Sequence, residues 1–212
     1  TGRGYVISYV PAWNAVVRFC YFLIISRLLF ALRENLAEKT ALALKDQLTG
    51  LPNGRFFYEI LGRELARARR SGLPFTLAYL DLDNFKTVND TLGHEEGDRV
   101  LAAAAAALQK GVRASDTIAR LGGDEFAGLF PETGPDNAKI LVEKLRGALL
   151  SAMRTGGWPV TVSAGAVTFI AFPEKVADMI RQADDLMYEG KKQGRNRALF
   201  AVYGETGASP SA

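Results

Sequence analysis

The sequence predicts an α/β domain, and three observations predict it. Between residues 46 and 203, stretches of helical periodicity alternate with short apolar runs of strand length. One of these runs, Phe75-Thr76-Leu77-Ala78-Tyr79-Leu80, is nearly all apolar and belongs in the middle of a sheet. Another two flank Gly122-Gly123, a hairpin signal, because a two-residue primed turn needs positive φ and glycine reaches it without steric cost. With 212 residues, 48% of them hydrophobic, the chain has enough for one ordinary domain plus an appendage.

Composition narrows the chemistry. A net charge of +3 and a pI near 9.0 suit an anionic ligand or a membrane surface without demanding nucleic acid, and no long Lys/Arg run is present. The single cysteine, Cys20, rules out an intrachain disulfide and favours a reducing compartment for the main domain. One histidine argues against a His-based metal cluster or a Ser-His triad, so catalysis should rest on carboxylates and a metal. The first residue is Thr1 rather than Met, which reads as a fragment or a processed product.

Residues 1–11, with Gly2, Gly4 and Pro11, read as a loop. Residues 12–32 are the most apolar stretch. A bilayer span needs about 20 mostly apolar residues, and this window has the length but contains Asn14, Arg18, Ser26 and Arg27. Three readings stand: the last transmembrane helix of a longer protein, an amphipathic helix on the membrane, or a buried dimerisation helix. Trp13 and Tyr21 as interfacial aromatics, with Arg33 and Lys39 following, favour the first, so 1–32 is read as the end of a membrane region. Residues 33–45 are a helical linker. Leu32, Leu36 and Ala43 keep an approximate heptad spacing that Lys39 breaks, so a short coiled coil and a plain helical spacer fit equally.

The soluble domain is expected over 46–203. Gly50 and Pro52 mark a turn, and Asn53 is placed to cap a helix over 55–71. The first strand is expected at Phe75–Asp83, with Phe75, Leu77, Tyr79 and Asp81 on one face. A carboxylate at the carboxyl end of a central strand, here Asp81, is explained better by a ligand site than by packing. A short helix beginning at Asn84-Phe85-Lys86 offers free N–H groups and a lysine to phosphate. Residues 97–112 are an alanine-rich core helix, in which Asp98 reads plainly as an N-cap. Strands at 117–121 and 125–130 make the hairpin. Behind its glycines, Asp124 and Glu125 set hard oxygen ligands beside bare backbone, which suits Mg2+ and a nucleotide's phosphates; a solvated hairpin tip has the same composition. In an ideal strand Glu125 faces away from Asp124. Helices over 135–154 and 175–193 and strands over 160–169 and 197–202 complete the domain. Lys191 and Arg195 share a face only if the last helix passes Gly194, which signals its end. Residues 204–212 have the composition of a disordered tail.

Gly122-Gly123-Asp124-Glu125-Phe126 also spells a family signature, and other blocks follow that family's order. They are Asp46-x-Leu48-Thr49-x-Leu51-x-Asn53, Asp81-x-Asp83-x-Phe85-Lys86-x-x-Asn89-Asp90, Gly93-His94-x-x-Gly97-Asp98, Arg113-x-x-Asp116, Ser163-Ala164-Gly165, and Lys191 with Arg195. On these residues the chain resembles the GGDEF-domain diguanylate cyclases over roughly 46–203. One departure is Gly54, where the family carries Arg; either Arg55 stands in or that contact is lost.

The resemblance implies a mostly antiparallel five-stranded sheet like the palm of nucleotide cyclases and polymerases. It implies an enzyme that joins two GTP into cyclic di-GMP and releases two pyrophosphates, with two domains facing each other in a homodimer. Asp81, the Leu82 carbonyl, Asp124 and Glu125 would bind two Mg2+ ions per active half-site, with Mn2+ as an alternative. Asp124, Glu125 and Lys86 would carry the chemistry. Asn89 and Asp98 would read guanine, whose N1–H and exocyclic amine form a donor pair that adenine lacks. Phe85 and His94 join the substrate contacts, although a histidine there is more often structural. Lys191 and Arg195 would hold phosphates, and Arg113 with Asp116 would bind the product as an inhibitor. The implied partners are GTP, cyclic di-GMP and a second copy, with membrane attachment through the N-terminal helix and no nucleic acid. The implied location is the inner membrane of a bacterium, with the catalytic domain in the cytoplasm. A non-catalytic receptor for GTP or cyclic di-GMP is the alternative. A nucleic-acid-binding palm lacks the basic groove it would need.

Overall fold

The computed structural model describes residues 9–204, with side chains at 13–30 and 44–204. The chain divides into two compact units, Thr1–Ala43 and Leu44–Ala212. The first is described by one helix, α1 (Tyr9–Leu44). Residues 9–11, expected in a loop, already belong to it: Pro11 lies in the first turn, where a missing N–H breaks no intrahelical bond. Trp13–Phe30 is an 18-residue window of mean hydropathy 1.4, long and apolar enough to cross a membrane. A signal sequence near an N-terminus has the same length and composition. The heptad side chains between 31 and 43 lie outside the described side chains, and residues 1–8 and the expected tail at 205–212 lie outside the described residues.

The second unit runs α2 (Gly54–Ser71), β1 (Phe75–Asp83), α3 (Phe85–Leu92), α4 (His94–Gly111), β2 (Thr117–Gly122), β3 (Glu125–Pro131), α5 (Pro135–Thr155), β4 (Thr161–Phe169), α6 (Val176–Lys192) and β5 (Ala198–Tyr203). The five strands lie in the order β2-β3-β1-β4-β5. All pairings are antiparallel except β4 with β5. The mostly antiparallel five-stranded sheet expected from the family motifs is therefore present, with β1 at its centre.

Alternation on the strands divides the core in two. Ala78, Leu80 and Leu82 of β1 pack with Val100, Leu101 and Leu108 of α4 and Val142, Leu145 and Leu149 of α5. Phe75, Leu77 and Tyr79 face the other way, onto Phe57, Leu61 and Leu65 of α2 and Met179, Ala183, Leu186 and Met187 of α6. Sheet and helices thus form three layers. Asn53 caps α2 as expected, accepting from Phe56 N at 3.0 Å. One boundary is corrected. Helix α4 starts at His94, not 97, because Gly93 (φ +88) turns the chain sharply out of α3. Asp98 is consequently an interior helical residue, and the N-cap is Gly93.

Helix α6 reaches the sheet through Gly165 on β4. A Cβ there would lie 2.3 Å from both Ala183 O and Met187 N, backbone atoms that no rotamer change can move. Gly165→Ala is expected to cost about 1–3 kcal/mol through overpacking, read as a lower urea midpoint with an unchanged m-value.

Candidate active site

The acidic end of β1 meets the hairpin by register. Asp81 pairs across to Glu125 on β3 and to Ser163 on β4, and directly opposed residues present their side chains on one face. Asp81 and Glu125 therefore stand side by side on the face covered by α6. The expected Gly122-Gly123 turn is corrected at this point. A register shift between Arg120 and Gly122 moves the two-residue loop to Gly123-Asp124. Gly123 takes φ +50, whereas Gly122 is not left-handed. Nothing lies within 4 Å of a Cβ built at Gly122, so the chain's own packing does not require glycine there. Asp124 is tied to β1 by its carbonyl, which accepts from Leu82 N–H at 3.3 Å.

Asp81 is 6% exposed, and its Oδ2 accepts from Lys191 Nζ at 2.7 Å. Burial pushes its carboxyl above the ordinary value, the Lys191 hydrogen bond opposes that, and the charges of Asp124 and Asp83 push it up again. Tyr79, two residues back on the same face, is held protonated by burial and by the carboxylate of Glu125, with Asp184 and Asp81 adding to the effect. On α6, burial and Asp185 raise Asp184, while Lys191 lowers it. Lys191 is thus the cation amid these carboxylates.

Helical continuity does not bring Lys191 and Arg195 together. Helix α6 stops at Lys192, and Gly194 (φ +116), Arg195 (φ +62) and Asn196 (φ +49) turn the chain back. That turn puts Arg195 Nε 4.0 Å from Asp83 Oδ1, two residues along β1 from the partner of Lys191.

Of the expected base readers, Asn89 reaches α4: a Cβ on Gly97 would fall 1.9 Å from its Oδ1, so the carboxamide lies directly on the backbone of the residue before Asp98. The Phe85 ring is buried with its edge toward the same glycine, which leaves only its backbone N–H, at the start of α3, to face a ligand. Lys86, His94 and Asp98 are exposed. Arg113 and Asp116 form a tight turn, with Arg113 N donating to Asp116 Oδ2 at 2.9 Å. The exposed Arg113 side chain stands between cavities of about 320 and 490 Å3, the first lined also by Lys110 and Lys144.

Arg120 anchors the hairpin, a role that sequence spacing did not reveal. Its Nε and one terminal nitrogen donate to Gly123 O at 3.0 and 2.8 Å, while the other bonds both Asp46 oxygens at 3.1 Å. Asp46 also accepts from Thr49 N and Oγ1 at 2.8 and 2.6 Å. Arg55, next to Gly54, pairs with Glu59 at 3.9 Å, and its side chain is 79% exposed.

Among the described residues, no group of three His, Cys, Asp or Glu side chains already stands ready to hold a metal. The donors nevertheless fit a hard divalent cation. Asp81 and Glu125 are opposed carboxylates, Asp124 acts on Asp81 electrostatically, and the backbone beside them is bare at Gly122 and Gly123. A lysine ammonium on Asp81 occupies the place where a positive charge is favoured.

Fold and site together define an α/β domain whose acidic turn is docked on its central strand. The chain belongs to the GGDEF family: the family model described as "Diguanylate cyclase, GGDEF domain" matches residues 43–197. It is 38% identical over 173 residues to diguanylate cyclase DgcP of Pseudomonas aeruginosa, which covers 81% of this chain and 26% of DgcP. It is 35% identical over 178 residues to diguanylate cyclase DosC of Escherichia coli, which covers 82% of this chain and 38% of DosC. This chain therefore spans less than half the length of either relative. Among solved structures, the coiled coil and GGDEF domain of DgcB from Caulobacter crescentus, in complex with c-di-GMP, matches with a TM-score of 0.75 at 29% identity, covering 86% of this chain and 98% of that one.

The Asp46 clamp gives stability an acid limit. Burial raises the Asp46 carboxyl, but the Thr49 hydrogen bonds and Arg120 outweigh it, so its folded pKa lies below the ordinary value. Its stabilisation is then complete above the unfolded pKa, about 4, and is lost as pH falls through the lower folded value. Asp46→Asn is expected to be less stable than the parent at neutral pH, and the gap should close as pH drops below about 4 in chemical denaturation.

Proposed function

We propose that this domain is a diguanylate cyclase, condensing two GTP into cyclic di-GMP with release of two pyrophosphates, and that it works as a dimer. The observation that carries the reading is the Asp81–Glu125 pairing on the central ladder, with Asp124 tied to Leu82, in a member of the GGDEF family. Opposed, partly buried carboxylates are costly unless cations join them. Two Mg2+ or Mn2+ ions held by Asp81, the Leu82 carbonyl, Asp124 and Glu125 would supply charge neutralisation at the α-phosphate and acidify the ribose 3′-hydroxyl.

The remaining work falls to this chain's own groups. Asn89 and Asp98 hydrogen-bond guanine, with His94 at the exposed start of α4 beside them. Lys86, the N–H groups opening α3 (Phe85 among them), Lys191 and Arg195 receive the triphosphate. Asp124, at the turn, takes the 3′-hydroxyl proton while that oxygen attacks the α-phosphorus of the facing domain's GTP. The α–β anhydride bond breaks and pyrophosphate leaves; the reciprocal attack closes the ring. One domain holds one GTP, so the second copy is required. Arg113 and Asp116, beside two cavities, bind the product as an inhibitor.

In this reading residues 1–32 attach the protein to the inner membrane of a bacterium, 33–45 link that segment to the cytoplasmic catalytic domain of 46–203, and 204–212 form a tail. The apolar window Trp13–Phe30 supports the attachment.

Incubation with GTP and Mg2+, with the products resolved by chromatography, tests the reaction. The parent is expected to yield cyclic di-GMP, and Asp124→Ala to lose about a thousandfold in rate or more. Bound nucleotide without product at high protein concentration would favour the receptor reading. For the feedback site, Arg113→Ala is expected to keep initial turnover and to lose inhibition by added cyclic di-GMP, read from progress curves.

A further inference from the structure

We infer that Asp83 is a positioning residue that fixes the left-handed turn carrying Arg195, and so aims that guanidinium at the GTP phosphates. The inference rests on the cyclase reading for what Arg195 binds, and on geometry for the rest. The Asp83 side chain is fully buried, and both of its oxygens are used. Oδ1 accepts from Ser163 Oγ at 2.8 Å. Oδ2 accepts from Thr161 Oγ1 at 2.8 Å, Ser163 Oγ at 3.0 Å and Asn196 N at 3.1 Å.

Joining β1 to β4 does not require this carboxylate, because the backbone ladder already pairs Asp83 with Thr161. What it adds is a bond outside the sheet, to the turn after α6. That turn places two consecutive non-glycine residues, Arg195 and Asn196, at positive φ, a conformation that persists only where its surroundings hold it. Asn196 is gripped from both sides. Asp83 takes its N–H, and Arg146 of α5 donates to its carbonyl and side-chain oxygens at 3.1 and 3.0 Å. Arg195 immediately precedes Asn196, with Nε 4.0 Å from Asp83 Oδ1, while its side chain remains 58% exposed and open to a ligand. Alternate residues of β1 thus serve the two phosphate-binding candidates: Asp81 bonds Lys191, and Asp83 holds the turn of Arg195.

The test uses the full chain with 3′-deoxy-GTP and 3′-deoxy-GMP, which lack the attacking hydroxyl and cannot be condensed. Their affinities in Mg2+ are measured by calorimetry for the parent, Asp83→Asn, Arg195→Ala and the double variant. Asparagine keeps the shape but removes the charge: with its oxygen on Asn196 N–H and its amide on Ser163 Oγ, which can accept, the bond to the turn becomes a neutral one and Arg195 Nε faces a donor in place of a carboxylate oxygen. Asp83→Asn is expected to lose about tenfold in triphosphate affinity, with monophosphate affinity unchanged because α3 and α4 are untouched. In the Arg195→Ala background it should cost nothing further. Thr161→Val removes one donor to the same oxygen and should give the same selective loss in smaller degree; it carries the test if Asp83→Asn does not fold. Equal losses for both nucleotides, no loss, or additivity with Arg195→Ala would overturn the inference and leave Asp83 a residue of the fold alone. A parent that does not prefer the triphosphate removes the phosphate site and the inference with it. A parent that prefers the triphosphate but makes no cyclic di-GMP from GTP defeats the cyclase reading while the positioning role stands.

Discussion

Asp81 and Glu125 face each other across the central ladder, and like charges directly opposite on neighbouring strands repel. The surrounding architecture tolerates this pairing. Lys191 supplies the nearest positive charge, and it comes from the far end of α6. Helix α6 lies close to the sheet because Gly165, the β4 partner of Tyr79, has no side chain to hold it off. The helix thereby packs its apolar face on the core while its basic end reaches the acidic strand terminus. Tyr79, kept protonated among the same carboxylates, adds a neutral donor where another charge would be unfavourable.

Much of this was legible in the sequence because its cause is local. The nearly apolar β1 declared itself central, and its alternation separated Tyr79 and Asp81 from Leu80 and Leu82. Asn53 declared the start of α2. The placement of Glu125 was less legible, because an ideal strand points it away from Asp124. A bulge on β2 shifts the loop by one residue, and ladder register rather than local alternation decides what stands beside Asp81. The start of α4 was misplaced because one left-handed glycine at Gly93 suffices to separate two helices.

The residues that sequence reading passed over share one property: their partners are distant in the chain. Arg120 reaches Asp46, and Asp83 reaches Thr161, Ser163 and Asn196. No spacing rule reports such pairs. Their only local trace was unusual chemistry for the position: a second aspartate on a strand otherwise apolar, and an arginine just ahead of a glycine turn. Lys191 and Arg195 show the converse. Their spacing of four suggested a helical face, yet a left-handed turn brings them to neighbouring carboxylates instead.

The grip of Arg120 on Gly123 also bears on how this domain opens. A two-stranded hairpin on its own is marginal in water, and β2 is an edge strand. Here the loop carbonyl is fastened to Asp46, and Arg120 N–H bonds Pro52 O at 2.9 Å. Loosening the acidic loop therefore means unfastening residues 46–53 as well. The two segments form one cooperative unit for local unfolding, so their amides should share a protection against solvent exchange set by the body of the domain rather than by the hairpin.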